Sequence, residues 1–461
     1  MKWLKIAGLV VFISIIIGIV ALVTLPYRMA REIDARIADI KAQGDPVSGK
    51  DLIPHVPDSE NGAVIYERVF KIIEPGKKDI VKACDILLSP KSRKDPKQMA
   101  LAKKIAAKYR SALPLIEQAV TRPHCRFNTN WNDPPEKIVY PYFQKVRNVS
   151  RLLAQIAVID AADGRMDDSM KSIGLNYAVS ESIRNEPTMI GFLVRIACIS
   201  IASGSLKRAA QYGDIPEPQV HKLYDLLGEI DLQSGYMDVI KGERAYGLDI
   251  MERVRHGVMS MDSLQVLGSG DSQTKPVAAS HLVTGLGAWV LAVRSGADEL
   301  FFIRYMDRVV DASGKSYHDK AARQAELEPK FPKYAVASVI VMPVFAQSKQ
   351  ILYESMATLA GDRVFLAVLA YKSKFGGYPA SLDDVEKKLG WKLPVDPMTD
   401  ESFRYRREGK GFIVYGLGKN MKDDNAETKP KDAKDVGRSG EYSYSNGDGR
   451  YSADMIWQKS K

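Results

Sequence analysis

The longest apolar stretch of the chain lies close to its N terminus. Residues 6–25 form a run of twenty residues without a charged side chain. A helix of this length measures about 30 Å, which matches the hydrocarbon core of a bilayer. Lys5 precedes the run, and Tyr27 and Arg28 follow it, so charged and aromatic residues lie at both expected interfaces. The pattern predicts a transmembrane anchor over residues 1–27.

A cleaved signal peptide is the alternative interpretation of the same stretch. Its apolar core would be unusually long, and no Ala-x-Ala cleavage pattern precedes the charged residues 28–36. A retained signal anchor is therefore the better prediction. Because a large domain after a short N-terminal tail is usually translocated whatever the flanking charges are, we expect a single-pass protein of the bacterial inner membrane with an extracytoplasmic body.

Residues 28–60 are predicted to connect this anchor to the body. Met29, Ile33, Ile37 and Ile40 share one helical face, which indicates an amphipathic helix that continues the anchor. The residues from about 44 onward carry glycine and prolines, which favour an extended linker.

Apolar positions recur with helical spacing over most of residues 61–346, which predicts a helical body. Between residues 146 and 210 the pattern indicates three successive helices, with Asp167 capping the second and Pro187 preceding the third. We expect hairpins like those of tetratricopeptide-type proteins, although no second copy recurs at a fixed period. The positions expected to face the core are Met170, Ile173, Tyr177, Ile183, Ile190, Leu193, Val194 and Ala197.

The polar pattern changes from period 3.6 to period two within residues 347–461. A long helix over residues 348–374 is followed by a short helix that begins after Ser381. Phe403 and Tyr405 then alternate with arginines, and a glycine-containing turn separates residues 402–407 from residues 412–417. The fold class is therefore mainly α, with a small C-terminal α+β module that contains an antiparallel sheet.

This module resembles the C-terminal half of the major pseudopilin of type II secretion systems. The resemblance covers about the last ninety residues. It rests on Tyr378-Pro379, Asp396-Pro397, Arg404-Tyr405-Arg406, Tyr415-Gly416-Leu417-Gly418 and the closing Ala453-Asp454-x-Ile456-Trp457. The combination of anchor, helical body and module is also similar to a group of planctomycete-type membrane-anchored proteins, in which a stretch like Glu186-Pro187-Thr188-Met189-Ile190-Gly191 recurs. The pseudopilin resemblance does not extend to the N terminus, where residues 1–6 lack a prepilin cleavage site.

The resemblance implies one metal site. The major pseudopilin binds calcium in the loop after its Leu-Gly strand and at the closing aspartate. The corresponding residues here are Leu417, through its carbonyl, and Asn420, Asp423, Asp424 and Asp454. Carboxylate and carbonyl oxygens are the ligands that calcium prefers. A solvated acidic turn with nearby lysines is the alternative, and no other cofactor is expected.

Charge and cysteine content narrow the possible functions. The net charge of +10 would favour association with anionic surfaces, but no basic stripe is interleaved with aromatic residues, so we expect no nucleic-acid partner. Cys84, Cys125 and Cys198 are too few and too scattered for a disulfide framework, and free thiols are expected.

Recognisable catalytic patterns are missing from the sequence. The six histidines do not fall into a metal-binding spacing, and neither a nucleophile elbow nor a phosphate-binding loop is present. We therefore expect no enzyme, but a membrane-tethered binding or scaffolding protein with a protein partner in the envelope. A secretion or pilus-like assembly component is the first alternative. An envelope hydrolase, with His124 or His318 beside a carboxylate, is the second.

Overall fold

The computed structural model describes residues 2–52, 56–131, 133, 138–259, 286–316, 331–342, 345–418, 420–430, 444–445, 450–452 and 454–460. The α-helices are α1 (Lys2–Ala42), α2 (Gly62–Ile73), α3 (Lys77–Leu88), α4 (Pro90–Lys94), α5 (Pro96–Tyr109), α6 (Leu113–Val120), α7 (Pro141–Ala162), α8 (Met166–Glu181), α9 (Met189–Ala209), α10 (Glu217–Glu229), α11 (Leu232–Arg255), α12 (Leu286–Ser313), α13 (Val336–Val341), α14 (Phe345–Phe375) and α15 (Leu382–Leu389). The strands are β1 (Arg404–Glu408), β2 (Gly411–Gly416), β3 (Lys429–Pro430), β4 (Tyr444–Ser445), β5 (Arg450–Ser452) and β6 (Met455–Lys459). The fold is mainly helical, as predicted.

Helix α1 has two differently placed parts. Its C-terminal part packs on α12, where Ile33 and Ile40 are buried and Glu32 accepts a hydrogen bond from Arg304 at 2.6 Å. Its N-terminal part exposes large apolar side chains. These are Trp3, Ile6, Phe12, Ile13, Ile16, Val20, Leu25 and Tyr27. The amphipathic face predicted for residues 28–42 is therefore the part of the helix that contacts the body.

Helices α7, α8 and α9 pack against one another and form the centre of the body. Pro141 lies in the first turn of α7, where its missing N–H costs no hydrogen bond. The predicted cap at Asp167 is wrong, because α8 begins one residue earlier and the side chain of Asp167 accepts a hydrogen bond from Gln219 instead. Thr188 caps α9 through the N–H of Gly191.

Helix α9 is apolar around most of its circumference. Met170, Ile173, Tyr177 and Ile183 are buried as predicted, but Ile190 and Leu193 of α9 are 56% and 40% exposed. A helix that is apolar on all sides gives no periodic signal for the side that faces the core, which explains this error. Among the described residues, α9 is the helix whose length and composition would allow it to cross a membrane, yet 67% of its most apolar window is buried inside the protein.

The C-terminal sheet packs on α14. Its strand order is β1-β2-β6, all antiparallel, and β1 and β2 pair from Arg404 with Tyr415 to Glu408 with Gly411. This is the predicted hairpin, and Ser381 caps α15 as expected. Strands β3, β5 and β4 form a second, very short antiparallel sheet.

Strand β2 is buried on both of its faces. Phe412 and Val414 belong to the main core, together with residues of α14, whereas Ile413 and Tyr415 pack with Ala426 and Ile456 on the opposite face. The loop after β2 therefore covers the outer face of the sheet. Since α14 also contacts α9, α10 and α11, one apolar core runs from the helical body into the C-terminal sheet.

Candidate functional site

The aspartate predicted to close a calcium site is fully buried under the loop that follows β2. Asp454 Oδ2 accepts hydrogen bonds from the N–H groups of Ala426 at 2.8 Å and Asp424 at 3.2 Å. Its Oδ1 is buried and has no hydrogen-bond partner among the described residues. Burial, together with the nearby carboxylates of Asp424 and Asp423, raises the pKa of Asp454 to about 6.

The other predicted calcium ligands form hydrogen bonds with several different residues. Asn420 donates to Asp424 at 2.8 Å, but Asp423 accepts a hydrogen bond from Arg404 at 2.8 Å. The N–H of Leu417 donates to Asp396 at 3.1 Å. Within the described parts of the chain, no three His, Cys, Asp or Glu side chains are grouped as metal ligands would be. The oxygen donors suit calcium chemically, while Asp423 forms an ion pair with Arg404.

A second group of polar residues surrounds a cavity of about 250 Å³ between the body helices. His124, Cys125, Arg126, Glu186 and Asp238 contribute to its walls. Burial raises the pKa of the Cys125 thiol, and the carboxylate of Glu186 raises it further. The reactive thiolate form is therefore disfavoured here, unlike in thiol enzymes. Among the described residues, His124 forms no ion pair with a carboxylate.

Glu186 belongs to residues 186–191, which form the end of the turn between α8 and α9 and the start of α9. Its carboxylate accepts a hydrogen bond from Tyr142 at 2.8 Å. The N–H of Met189 donates to the partly buried carboxylate of Glu243 on α11 at 2.6 Å. The contacts of this stretch thus tie three helices together, which is a structural role.

Replacing Glu186 with glutamine is expected to weaken the pH dependence of stability. Burial raises the pKa of Glu186 from 4.5 to about 7, and Tyr142 and Arg126 oppose the shift. The carboxyl group of Glu186 therefore binds its proton more tightly in the folded state than in the unfolded state. As a result, the contribution of Glu186 to stability falls as the pH rises from about 4.5 to about 7. Urea unfolding measures the free energy of unfolding at about pH 5 and about pH 7.5. The difference between these two free energies should be smaller by about 1–3 kcal/mol in Glu186→Gln than in the unsubstituted protein.

The exposed Glu67 supplies a matched control for this measurement. Glu67→Gln should leave the difference between the two pH values as it is in the unsubstituted protein. An equally steep pH dependence in Glu186→Gln would show that Glu186 does not hold its proton in the folded state.

A large cavity lies where the helical body meets the C-terminal sheet. We call it the junction cavity. Its volume is about 560 Å³, and its walls come from α3, α7, α9, α14 and β6. Val81 and Ser200 are exposed at its edge, so solvent can enter there. Ile201, Met455 and Trp457 form an apolar part of the wall.

The polar part of the junction cavity is strongly basic. Arg147 and Arg151 of α7 line it together with Lys207 and Arg208 of α9. Lys207 Nζ lies 5.6 Å from the ring centroid of Trp457. Burial lowers the pKa of Lys207 to about 8, which the carboxylate of Asp362 opposes and the guanidinium of Arg208 reinforces. The cavity thus brings several cationic side chains together where they are partly shielded from water.

The floor of the junction cavity is fixed by the buried carboxylate of Asp362 on α14. It accepts hydrogen bonds from Tyr177 Oη at 2.7 Å, Ser203 Oγ at 2.9 Å and Trp457 Nε1 at 2.7 Å. Gly361 leaves room for the indole of Trp457, because a Cβ at this position would lie 2.2 Å from the ring. Helices α8, α9, α14 and strand β6 therefore meet at one carboxylate.

The sequence did not identify the junction cavity as a site. One signal was available: Arg147 and Arg151 are four residues apart, so they lie on the same face of α7. The cations of α9 and the indole of β6 join them only through tertiary packing. Cys84, Cys125 and Cys198 are free, as expected, and Cys84 lies in the wall of this cavity.

Comparison of the chain with protein families, curated proteins and solved structures gives no match to any of them.

Proposed function

We propose that this chain is a membrane-tethered binding protein whose body lies outside the cytoplasm of a bacterial cell. In this proposal α1 anchors the chain in the inner membrane, and the helical body binds a ligand or an envelope protein without catalysing a reaction. The proposal rests on one observation, the row of large apolar side chains that the N-terminal part of α1 exposes.

The energetic reason for a membrane anchor is the free energy gained when the exposed apolar side chains of α1 move from water into lipid. Eight large hydrophobic side chains between Trp3 and Tyr27 are 38–83% exposed. Removing one Val, Leu, Ile or Phe side chain from water contributes about 1.5–3 kcal/mol. An apolar helix that projects from a folded body is stable in contact with lipid, where its backbone hydrogen bonds are satisfied internally. The contact of Ile33 and Ile40 with α12 would then hold the body close to the bilayer surface.

Extraction of membranes with alkaline carbonate tests the tether. The full chain, expressed in a bacterial host, should remain in the membrane pellet. Charges placed in the exposed part of α1, as in Ile13→Asp with Ile16→Asp, should release the protein, since an aspartate at the centre of a transmembrane helix costs about 2.5–3.5 kcal/mol. Val64→Asp places the same charge on an exposed apolar position of α2 and should leave the protein in the pellet. Release of the unsubstituted chain by carbonate would refute the tether.

A second candidate function is an assembly component of an export apparatus. The antiparallel order β1-β2-β6 on the long helix α14 supports it, because such a sheet on a long helix is what the resemblance to the major pseudopilin implies. This candidate predicts oligomers after extraction in mild detergent. A strictly monomeric protein in light scattering would favour the tethered binding protein.

The helical hairpins are also part of the proposal. The mutual packing of α7, α8 and α9 supports a stacking like that in tetratricopeptide-type proteins. The exposed Ile190 and Leu193 on α9 would then be available to an envelope protein partner.

A further inference from the structure

The charges around the junction cavity indicate which ligand it could hold. We propose that it binds a small organic phosphate, with the phosphate group among Arg147, Arg151, Lys207 and Arg208 and the apolar group against Trp457. The inference rests on the binding role proposed above and names the chemical class of the ligand. It does not depend on the membrane tether.

The charge balance of the wall is the first argument. Among the described residues that line the cavity, four carry a positive charge and one, Asp85, carries a negative charge. Asp85 is exposed to solvent. Phosphate is well matched to the planar donor geometry of the two arginines of α7.

The position of the cations along the helices is the second argument. Lys207 and Arg208 lie in the last turn of α9, where positive charge is favoured by the helix dipole alone. The dipole does not explain Arg147 and Arg151, which lie in the interior of α7. Arg151 is held in place by a hydrogen bond to Asn148 at 2.9 Å. Cations from two neighbouring helices thus line one space, although like charges repel each other.

The size and the apolar wall are the third argument. A volume of about 560 Å³ lies within the range of sites for small organic molecules, about 300–1,000 Å³. A free phosphate ion would leave the surface formed by Ile201, Met455 and Trp457 without a partner. A phosphate ester that carries an aromatic or short acyl group would use both parts of the cavity.

Isothermal titration of the full chain in a nonionic detergent tests the inference, with phenyl phosphate as the probe. We expect binding of one phenyl phosphate per chain that weakens as salt is added, because the charges are partly accessible to solvent. Phenol, which lacks the phosphate, should bind at least about tenfold more weakly. Inorganic pyrophosphate should compete with phenyl phosphate. No binding of phenyl phosphate, or equal binding of phenol, would overturn the inference whatever the variants do.

The variant Arg147→Gln with Arg151→Gln should weaken the binding of phenyl phosphate about tenfold or more, since a hydrogen bond to a charged group is worth about one to two powers of ten in affinity. Arg68→Gln with Lys71→Gln removes two exposed positive charges of α2, away from the cavity, and is the matched control. Equal losses of affinity in the two double variants would show that the probe responds only to net charge, which would also overturn the inference.

The phosphate could belong to a soluble metabolite or to a lipid headgroup. Mixed micelles of the detergent with phosphatidylcholine, with and without phosphatidylglycerol, distinguish the two sources. Displacement of phenyl phosphate by the micelles that contain phosphatidylglycerol would identify a lipid phosphate, and its retention would identify a soluble one. Either result is compatible with a phosphate site, and neither affects the carbonate extraction that tests the tether.

Discussion

Asp362→Ala is expected to lower the free energy of unfolding by about 3–5 kcal/mol. The carboxylate of Asp362 is fully buried and accepts hydrogen bonds from Tyr177, Ser203 and Trp457. Its removal leaves three buried donors without their acceptor and opens a small cavity between α14 and β6. Urea unfolding followed by circular dichroism measures the loss.

The positive charge of Lys207 adds to this effect. Asp362 is the carboxylate that opposes the lowering of the pKa of Lys207 by burial. Without Asp362 the ammonium group of Lys207 becomes more costly to bury, because the opposite charge that compensates its desolvation is gone. The substitution should therefore also loosen the contact between α9 and the C-terminal sheet.

Two further variants separate the hydrogen bonds from a general effect of substitution. Asp362→Asn keeps the shape and one acceptor oxygen, and it should cost less than the alanine variant. Asp311→Ala removes an exposed carboxylate of α12 and should change stability by less than about 0.5 kcal/mol. A loss below about 1 kcal/mol in Asp362→Ala would show that the three donors find other partners.

The C-terminal hairpin could be predicted from the sequence because its signals are local. Phe403 and Tyr405 alternate with arginines, and Gly409 occupies the turn with φ of 55°, a conformation that glycine adopts at little cost. The order β1-β2-β6 depends on β6, which pairs with β2 across a long stretch of chain, and no local signal indicates that pairing.

The junction cavity could not be predicted in this way. Its walls come from segments that are far apart along the chain, from Val81 on α3 to Trp457 on β6. Asp362 lies within an apolar helix, and the sequence gives no indication that three distant donors meet there. The predicted calcium ligands show the same limit. The resemblance to the major pseudopilin implies that Asp423 and Asp424 lie near Asp454, but the ion pair of Asp423 with Arg404 depends on how the strands pair.

Gly242→Ala is expected to destabilise the protein by about 2–4 kcal/mol. Gly242 lies on α11, and a Cβ there would be 2.1 Å from the carbonyl oxygen of Pro187 in the turn between α8 and α9. The neighbouring atoms are the backbone carbonyl and the ring Cβ of Pro187, so they cannot move aside as a flexible side chain would. Helix α11 would have to shift, which would strain the hydrogen bond from Met189 to Glu243.

Gly174→Ala is the matched control, since it places the same methyl group on a helix that has room for it. A Cβ at Gly174 of α8 would lie 3.5 Å from Leu223, an ordinary van der Waals distance. Alanine is favoured over glycine within a helix by about 1 kcal/mol, so this variant should be as stable as the unsubstituted protein or more stable. Thermal unfolding of the two variants side by side therefore isolates the contact with Pro187. Equal midpoints would mean that α11 does not approach the α8–α9 turn this closely.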